Sequence, residues 1–141
     1  MLTLRQFDHE KLEVYQTALQ FVGWTHSLIE ELKSRSAPLI RETCDQLDRA
    51  SLSIVLNIAE GNGRRSTKQR ARFFDDSRGS ATECAACLDV LVVKNVCEPE
   101  RIGEGKGMLV SVVSMLSRLI ARFEGGDYRV KDEEEDEDED E

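Results

Sequence analysis

Proline is nearly missing from this chain of 141 residues, which holds only Pro38 and Pro99. Each of the two opens a long stretch of helix-favouring residues, so little turn chemistry is left from which to build a sheet. An all-α fold is expected. No apolar run approaches the roughly 18 residues needed to span a bilayer, and Met1-Leu2-Thr3-Leu4-Arg5 lacks the charged and apolar regions of a signal peptide. The expectation is a cytoplasmic protein with no membrane partner. In that compartment Cys44, Cys84, Cys87 and Cys97 are expected to remain free thiols. No motif sets a nucleophile beside a base and an orienting group, or pairs carboxylates in a cleft. Gly103-x-Gly105-x-Gly107 lacks the preceding strand and the final spacing of a phosphate-binding loop. Neither an internal repeat nor a histidine cluster is present. The reading is of a protein that is not an enzyme, with no catalytic residue, cofactor, metal or small-molecule substrate.

What is abundant is charge, and it is unevenly placed. The formal net charge is -9, but Asp132–Glu141 is an unbroken acidic run. Of the 28 acidic residues ten fall in this run, leaving 18 against 19 Lys and Arg. Such a run cannot bury apolar surface, so residues 129–141 are expected to form a disordered acidic tail. The tail serves solubility, or else it competes as a tethered polyanion with nucleic acid for a basic surface elsewhere on the chain.

Hydrophobic periodicity places four helices, at about 9–33, 38–60, 67–95 and 99–124. From Asp8, read as an N-cap, a stripe runs through Leu12, Tyr15, Leu19, Val22, His26 and Ile29. From Pro38 the same spacing returns at Ile40, Cys44, Leu47, Ser51, Ile54 and Ile58, ending at Gly61, well placed for a left-handed cap. Ser66-Thr67-Lys68-Gln69 has the spacing of a capping box and starts a third stripe at Phe74, Ser77, Ala81, Cys84, Leu88 and Leu91. There Gly79, Ser80 and the small stripe residues would admit a close neighbour. Pro99 opens the last helix, weakened early by Gly103, Gly105 and Gly107, with its seam at Leu109, Val113, Leu116, Ile120 and Phe123. Short connections make the simplest arrangement an up-and-down antiparallel four-helix bundle over residues 1–128. A second apolar row carries Val14, Phe21 and Leu28 beside Trp24, and the second helix adds Leu52, Val55 and Leu56. One core does not easily take both rows, so Val14, Phe21, Trp24, Leu28, Val55 and Leu56 are expected at the interface of a homo-oligomer.

The most distinctive stretch is Gln46–Gly61 followed by Asn62-Gly63-Arg64-Arg65-Ser66. Glu60 sits in the last turn of its helix, where the macrodipole disfavours a carboxylate by roughly 0.3–1 kcal/mol. A cation is expected nearby, with Arg49, Arg64 and Arg65 as the candidates. Asn57 and Glu60 either tie down the turn through hydrogen bonds and an ion pair or contact a ligand directly; Arg49, Asn57, Glu60 and Gly61 are read as the structural motif. The case for nucleic acid rests on Arg64, Arg65, Lys68, Arg70, Arg72 and Arg78, six cations within fifteen residues against Asp75 and Asp76. Phosphate contacts supply most non-specific affinity, and a helix N-terminus suits an anion; the competing reading is a solvated or internally paired face. Cys84-x-x-Cys87 falls in mid-helix with no second pair, which favours small core residues over a redox or zinc site. His26 is expected at the edge of the core stripe.

The string Gln46–Ser66, together with Phe73-Phe74, Gly79-Ser80-Ala81-Thr82-Glu83 and the opening Leu12-Glu13-Val14-Tyr15-Gln16, resembles the bacterial four-helix-bundle proteins encoded in 23S ribosomal RNA intervening sequences. A related group is the accessory variability determinant of diversity-generating retroelements. The resemblance extends over roughly residues 5–124, with Asn57-Ile58-Ala59-Glu60-Gly61 as its most specific part. It implies a pentamer, a five-fold barrel of bundles, without established catalytic activity. For the retroelement relatives it also implies a basic surface that engages a reverse transcriptase and its RNA. This chain departs from them in its nearly neutral body and acidic tail. The function expected is that of a non-catalytic, homo-oligomeric scaffold or adaptor that engages RNA or a reverse-transcriptase-like partner through its basic patch. The alternative is a protein-interaction scaffold without nucleic-acid binding.

Overall fold

The computed structural model describes residues 6–124 of the chain; the expected acidic tail at 129–141 lies outside the described residues. Three helices carry the structure, α1 (Glu13–Asn62), α2 (Thr67–Val93) and α3 (Pro99–Phe123), preceded by a single 3-10 turn at Asp8–Lys11. Where the sequence predicts two helices separated near Ser34–Pro38, helical backbone continues through Pro38 to Asn62. A straight helix of that length would reach about 75 Å. Yet the Asn62 side-chain amide donates to Asp8 Oδ2 at 3.0 Å, so α1 must double back, and Arg35 lies midway in sequence between those two residues.

Cross-links between elements give the direction of every rod. Arg101, in the first turns of α3, reaches Glu31 at 3.2 Å, and Lys94, just past α2, donates to the Leu39 carbonyl at 3.5 Å. The two inner ends of α1 therefore meet the α2–α3 connection, and the reversal falls between Glu31 and Leu39. Ser77 pairs with Ile54 and Ser80 with Ser53, which sets α2 antiparallel to the second limb of α1. Lys106 pairs with Asp89 and Arg78 with Ser117, which sets α3 antiparallel to α2. The result is an up-down-up-down bundle whose four rods are the two limbs of α1, α2 and α3. Pro38 lies inside α1, where it lacks the N–H that would bond the carbonyl four residues back and its ring crowds that carbonyl, so it favours a change of direction in this stretch.

Three of the four stripes occupy the core as expected. Ile40, Cys44, Leu47, Ser51, Ile54 and Ile58 are buried, as are Phe74, Ser77, Ala81, Cys84, Leu88 and Leu91; in the last stripe Leu109, Leu116 and Ile120 are buried, Val113 and Phe123 are half-buried, and Val112 joins the core. The first limb differs. Its buried row is Val14, Ala18, Phe21, Thr25, Leu28 and Leu32; of the expected stripe Ile29 is buried and Leu12, Tyr15 and Val22 are half-buried against the core, while Leu19 is 45% exposed and His26 is exposed. The two rows have the same spacing and are offset by one residue, a rotation of about 100°. The small Ala18 and the polar Thr25 made the true row the fainter of the two. Val14, Phe21, Leu28 and Val55 are thus correctly described as core of a single chain, and they do not line an interface between chains. Trp24 is half-buried, stacked on Phe21 at 5.8 Å. Of the six interface residues expected from sequence, only Leu56 is exposed.

Glycine explains two close approaches. A Cβ on Gly105 would stand 2.3 Å from the Trp24 ring, whereas Gly103 and Gly107 face open space. A Cβ on Gly61 would stand 2.8 Å from Phe73 Cβ. Gly61 is therefore needed for contact with α2, not for the left-handed cap expected from sequence, and α1 runs one residue beyond it to Asn62 with the following Gly63 in right-handed conformation. The left-handed residue is Asn95 (φ 60), which closes α2 with Val96 N–H donating back to the Leu91 carbonyl. Asp8 belongs to the 3-10 turn and not to an N-cap; Ser66 does cap α2, accepting from Gln69 N–H at 3.3 Å. Among the described residues no helix is long and apolar enough to cross a membrane.

Candidate nucleic-acid interface

The chain leaves α1 at Asn62 and enters α2 at Thr67, so the run Arg64–Arg78 begins at one end of the bundle and climbs α2. Its six cations separate into two groups. Arg64 pairs with Glu60 at 2.9 Å and lies over the Phe73 ring at 4.9 Å. Arg70 Nε donates to the Arg64 carbonyl at 2.5 Å, and its guanidinium lies 5.6 Å from the Phe123 ring centre. Arg78 pairs with Asp75 at 2.6 Å and donates to Ser117 Oγ at 3.1 Å, tying α2 to α3. These three have structural work. Arg65, Lys68 and Arg72 are exposed and make no hydrogen bond or ion pair among the described residues. Lys68 and Arg72, four apart, lie on one face of α2, and Arg65 sits in the turn just before the extended Ser66 cap.

That face borders a concavity of about 890 Å³ lined by Thr67, Lys68, Gln69, Ala71, Arg72, Asp75, Phe123 and Glu124. Phe123 comes from the last turn of α3. Its ring has Phe74 on the core side at 6.0 Å, and the guanidiniums of Arg70 and Arg122 at 5.6 and 5.4 Å. Sequence reasoning missed Phe123 and Arg122 as parts of this region, since they lie some fifty residues from Lys68 and Arg72 and only the antiparallel return of α3 brings them there. The nearest sequence signal was an apolar seam ending in Arg122-Phe123, which reads as ordinary helix.

The structural motif resolves differently from its four members' proximity in sequence. Glu60 finds its cation in Arg64, one turn on, across the end of the helix. Arg49 does not approach it: Arg49 donates to Gln46, and Gln46 to Glu83 on α2. Asn57 donates back to the Ser53 carbonyl and hydroxyl at 2.9 and 3.0 Å, holding the Ser53 hydroxyl against Ser80 at 2.8 Å. Asn57 and Glu60 are thus joined to the α1–α2 packing and the turn, while Gly61 admits Phe73 and Phe74.

Cys84 and Cys87 are core residues. Burial pushes the Cys84 thiol up to about 12, with the nearby Cys87 and Glu83 adding to it, and burial likewise raises Cys87, Cys44 and Cys97. A thiol held protonated is a poor nucleophile and a poor metal ligand. Among the described residues no group of three or more His, Cys, Asp and Glu is arranged to hold a metal ion.

The sequence model of one family, described as 23S rRNA-intervening sequence protein, matches residues 10–118. This span takes in both limbs of α1, all of α2 and most of α3. No curated protein matches the chain.

Proposed function

The chain belongs to the 23S rRNA-intervening sequence protein family, and from that premise we propose that it works as a non-catalytic, homo-oligomeric scaffold of the cytoplasm that engages RNA, or a protein carrying RNA, through the cationic end of its bundle. The observation that carries this reading is the trio Arg65, Lys68 and Arg72, three exposed cations at the start of α2 that make no hydrogen bond or ion pair among the described residues. A helix N-terminus adds partial positive charge there, and polyphosphate is the ligand that rewards both features. The oligomer is supported by Leu56, the one exposed member of the six first expected, with Leu52 one turn away on the second limb of α1, at 56% and 51% exposed, and by Leu19 on the first limb at 45%. Five copies is the number the family resemblance suggests.

The experiment is a titration of a labelled RNA with the full chain at several salt concentrations. Each phosphate contact steepens the dependence of log affinity on log salt by roughly 0.7–0.9. Replacing Arg65, Lys68 and Arg72 with Ala is expected to flatten that slope by about two units; an unchanged slope would remove the nucleic-acid reading. The exposed Leu52 and Leu56 favour the second reading, a scaffold that meets only proteins. Sedimentation of the full chain tests the assembly on which both depend, and a single-subunit mass that Leu52→Asp leaves unchanged would count against it.

A further inference from the structure

Resting on the nucleic-acid reading, we infer that the concavity between the first turns of α2 and the last turn of α3 selects single-stranded over double-stranded polynucleotide, with phosphates on Lys68 and Arg72 inside it and on Arg65 in the preceding turn, and a base stacked at Phe123. The argument begins with what sits beside the cations. A surface built only to neutralise phosphates needs no aromatic ring, and duplexes offer none of their base faces to a protein side chain. Here Phe123 lines the same hollow as Lys68 and Arg72 and remains partly exposed. Aromatic rings next to cationic grooves are the recurrent platform for unpaired bases, because every base has a π-face to stack.

The ring's surroundings suit that role. Phe74 supports it from the core, and Arg70 is fixed by its bond to the Arg64 carbonyl, so the platform is held in place before any ligand arrives. Arg122 is exposed and its guanidinium lies over the ring at 5.4 Å, so a base either displaces it from that face or stacks on the guanidinium itself. The volume, about 890 Å³, falls within the range of small-ligand sites and suits one or two nucleotides. Two acids share the rim. Asp75 is already neutralised by Arg78. Glu124 is exposed beside Phe123 and opposes a polyanion, so Glu124→Gln is expected to tighten binding.

The test compares the full chain's affinity for a labelled single strand of about 12 nucleotides with its affinity for a duplex of the same length. A preference of about tenfold or more for the single strand is expected, together with a loss of about tenfold in Phe123→Leu, which keeps the apolar volume but removes the π-face. Phe123→Trp, with a larger platform, is expected to bind at least as tightly as the wild type, and thermal unfolding of each variant checks that the bundle stays folded. The salt slope is expected to remain as in the wild type for both Phe123 variants, since neither removes a phosphate contact. Equal affinity for the two forms, or a folded Phe123→Leu that binds as the wild type does, overturns the inference while leaving the cationic surface in place. Binding of neither form overturns it together with the reading on which it rests.

Discussion

The two ends of the bundle use the same kinds of residue for different work. At the end where α1 reverses and α2 passes to α3, Glu31 holds both Arg35 and Arg101, Arg101 also lies over Trp24, and Lys94 donates to the Leu39 carbonyl, while Lys33 and Arg41 stay exposed and unpaired among the described residues. At the opposite end Arg64, Arg70 and Arg78 are similarly engaged, yet Arg65, Lys68 and Arg72 are left over. What distinguishes the cationic end is therefore not that it has cations to spare, since Lys33 and Arg41 are spare at the other, but that its spare cations fall within one short run and two of them line a hollow that holds Phe123. Exposed ion pairs contribute little to stability, and leftover cations contribute less, so a face that costs nothing to keep unpaired remains available to a ligand.

Substitutions can break or sharpen this contrast. The largest effect is expected in the packing between Trp24 and α3. Gly105→Ala drives a Cβ into the indole and should destabilise the chain by about 1–3 kcal/mol, whereas Gly107→Ala, in open space on the same helix, should stabilise it by about 1 kcal/mol; chemical denaturation of the two measures opposite signs. Next, Ser66→Ala removes the cap of α2 at the cationic end and should cost about 1 kcal/mol by the same measurement. Glu31→Gln, which releases Arg35 and Arg101, should cost at most about 1 kcal/mol, with the loss shrinking as salt is added. Smallest of all is the joint replacement of Arg65, Lys68 and Arg72 by Ala, expected to shift stability by less than about 0.5 kcal/mol. A loss comparable to that of Ser66→Ala would mean that these cations carry structure after all and would erase the difference between the ends.

Much of the fold was legible residue by residue. The stripes from Ile40 to Ile58 and from Phe74 to Leu91 each have one strong row, and the structure buries it; the last row is buried at Leu109, Leu116 and Ile120 and half-buried at Val113 and Phe123. The first limb has two, Leu12–Ile29 and Val14–Leu32, and periodicity alone cannot choose between rows of equal spacing. Only the positions of α2 and α3 decide which of them faces inward, which is why Phe21 and Leu28 pass from an expected interface to the core. Gly61 was legible as special but not as a point of contact, because the Phe73 ring system it admits arrives from another helix. The cationic run was legible as a run; that half of it is occupied, and that Phe123 and Arg122 join it, was not.

The sequence by itself determined the helical class, the four rods, the cap at Ser66 and the family, because periodicity, capping and motif spacing are local and survive without knowledge of neighbours. The tertiary structure alone decided the phase of the first rod, the fate of each arginine and the meeting of α3 with the start of α2. Those depend on which groups lie within a few ångströms across helices, and such distances are set by the packing of all four rods at once.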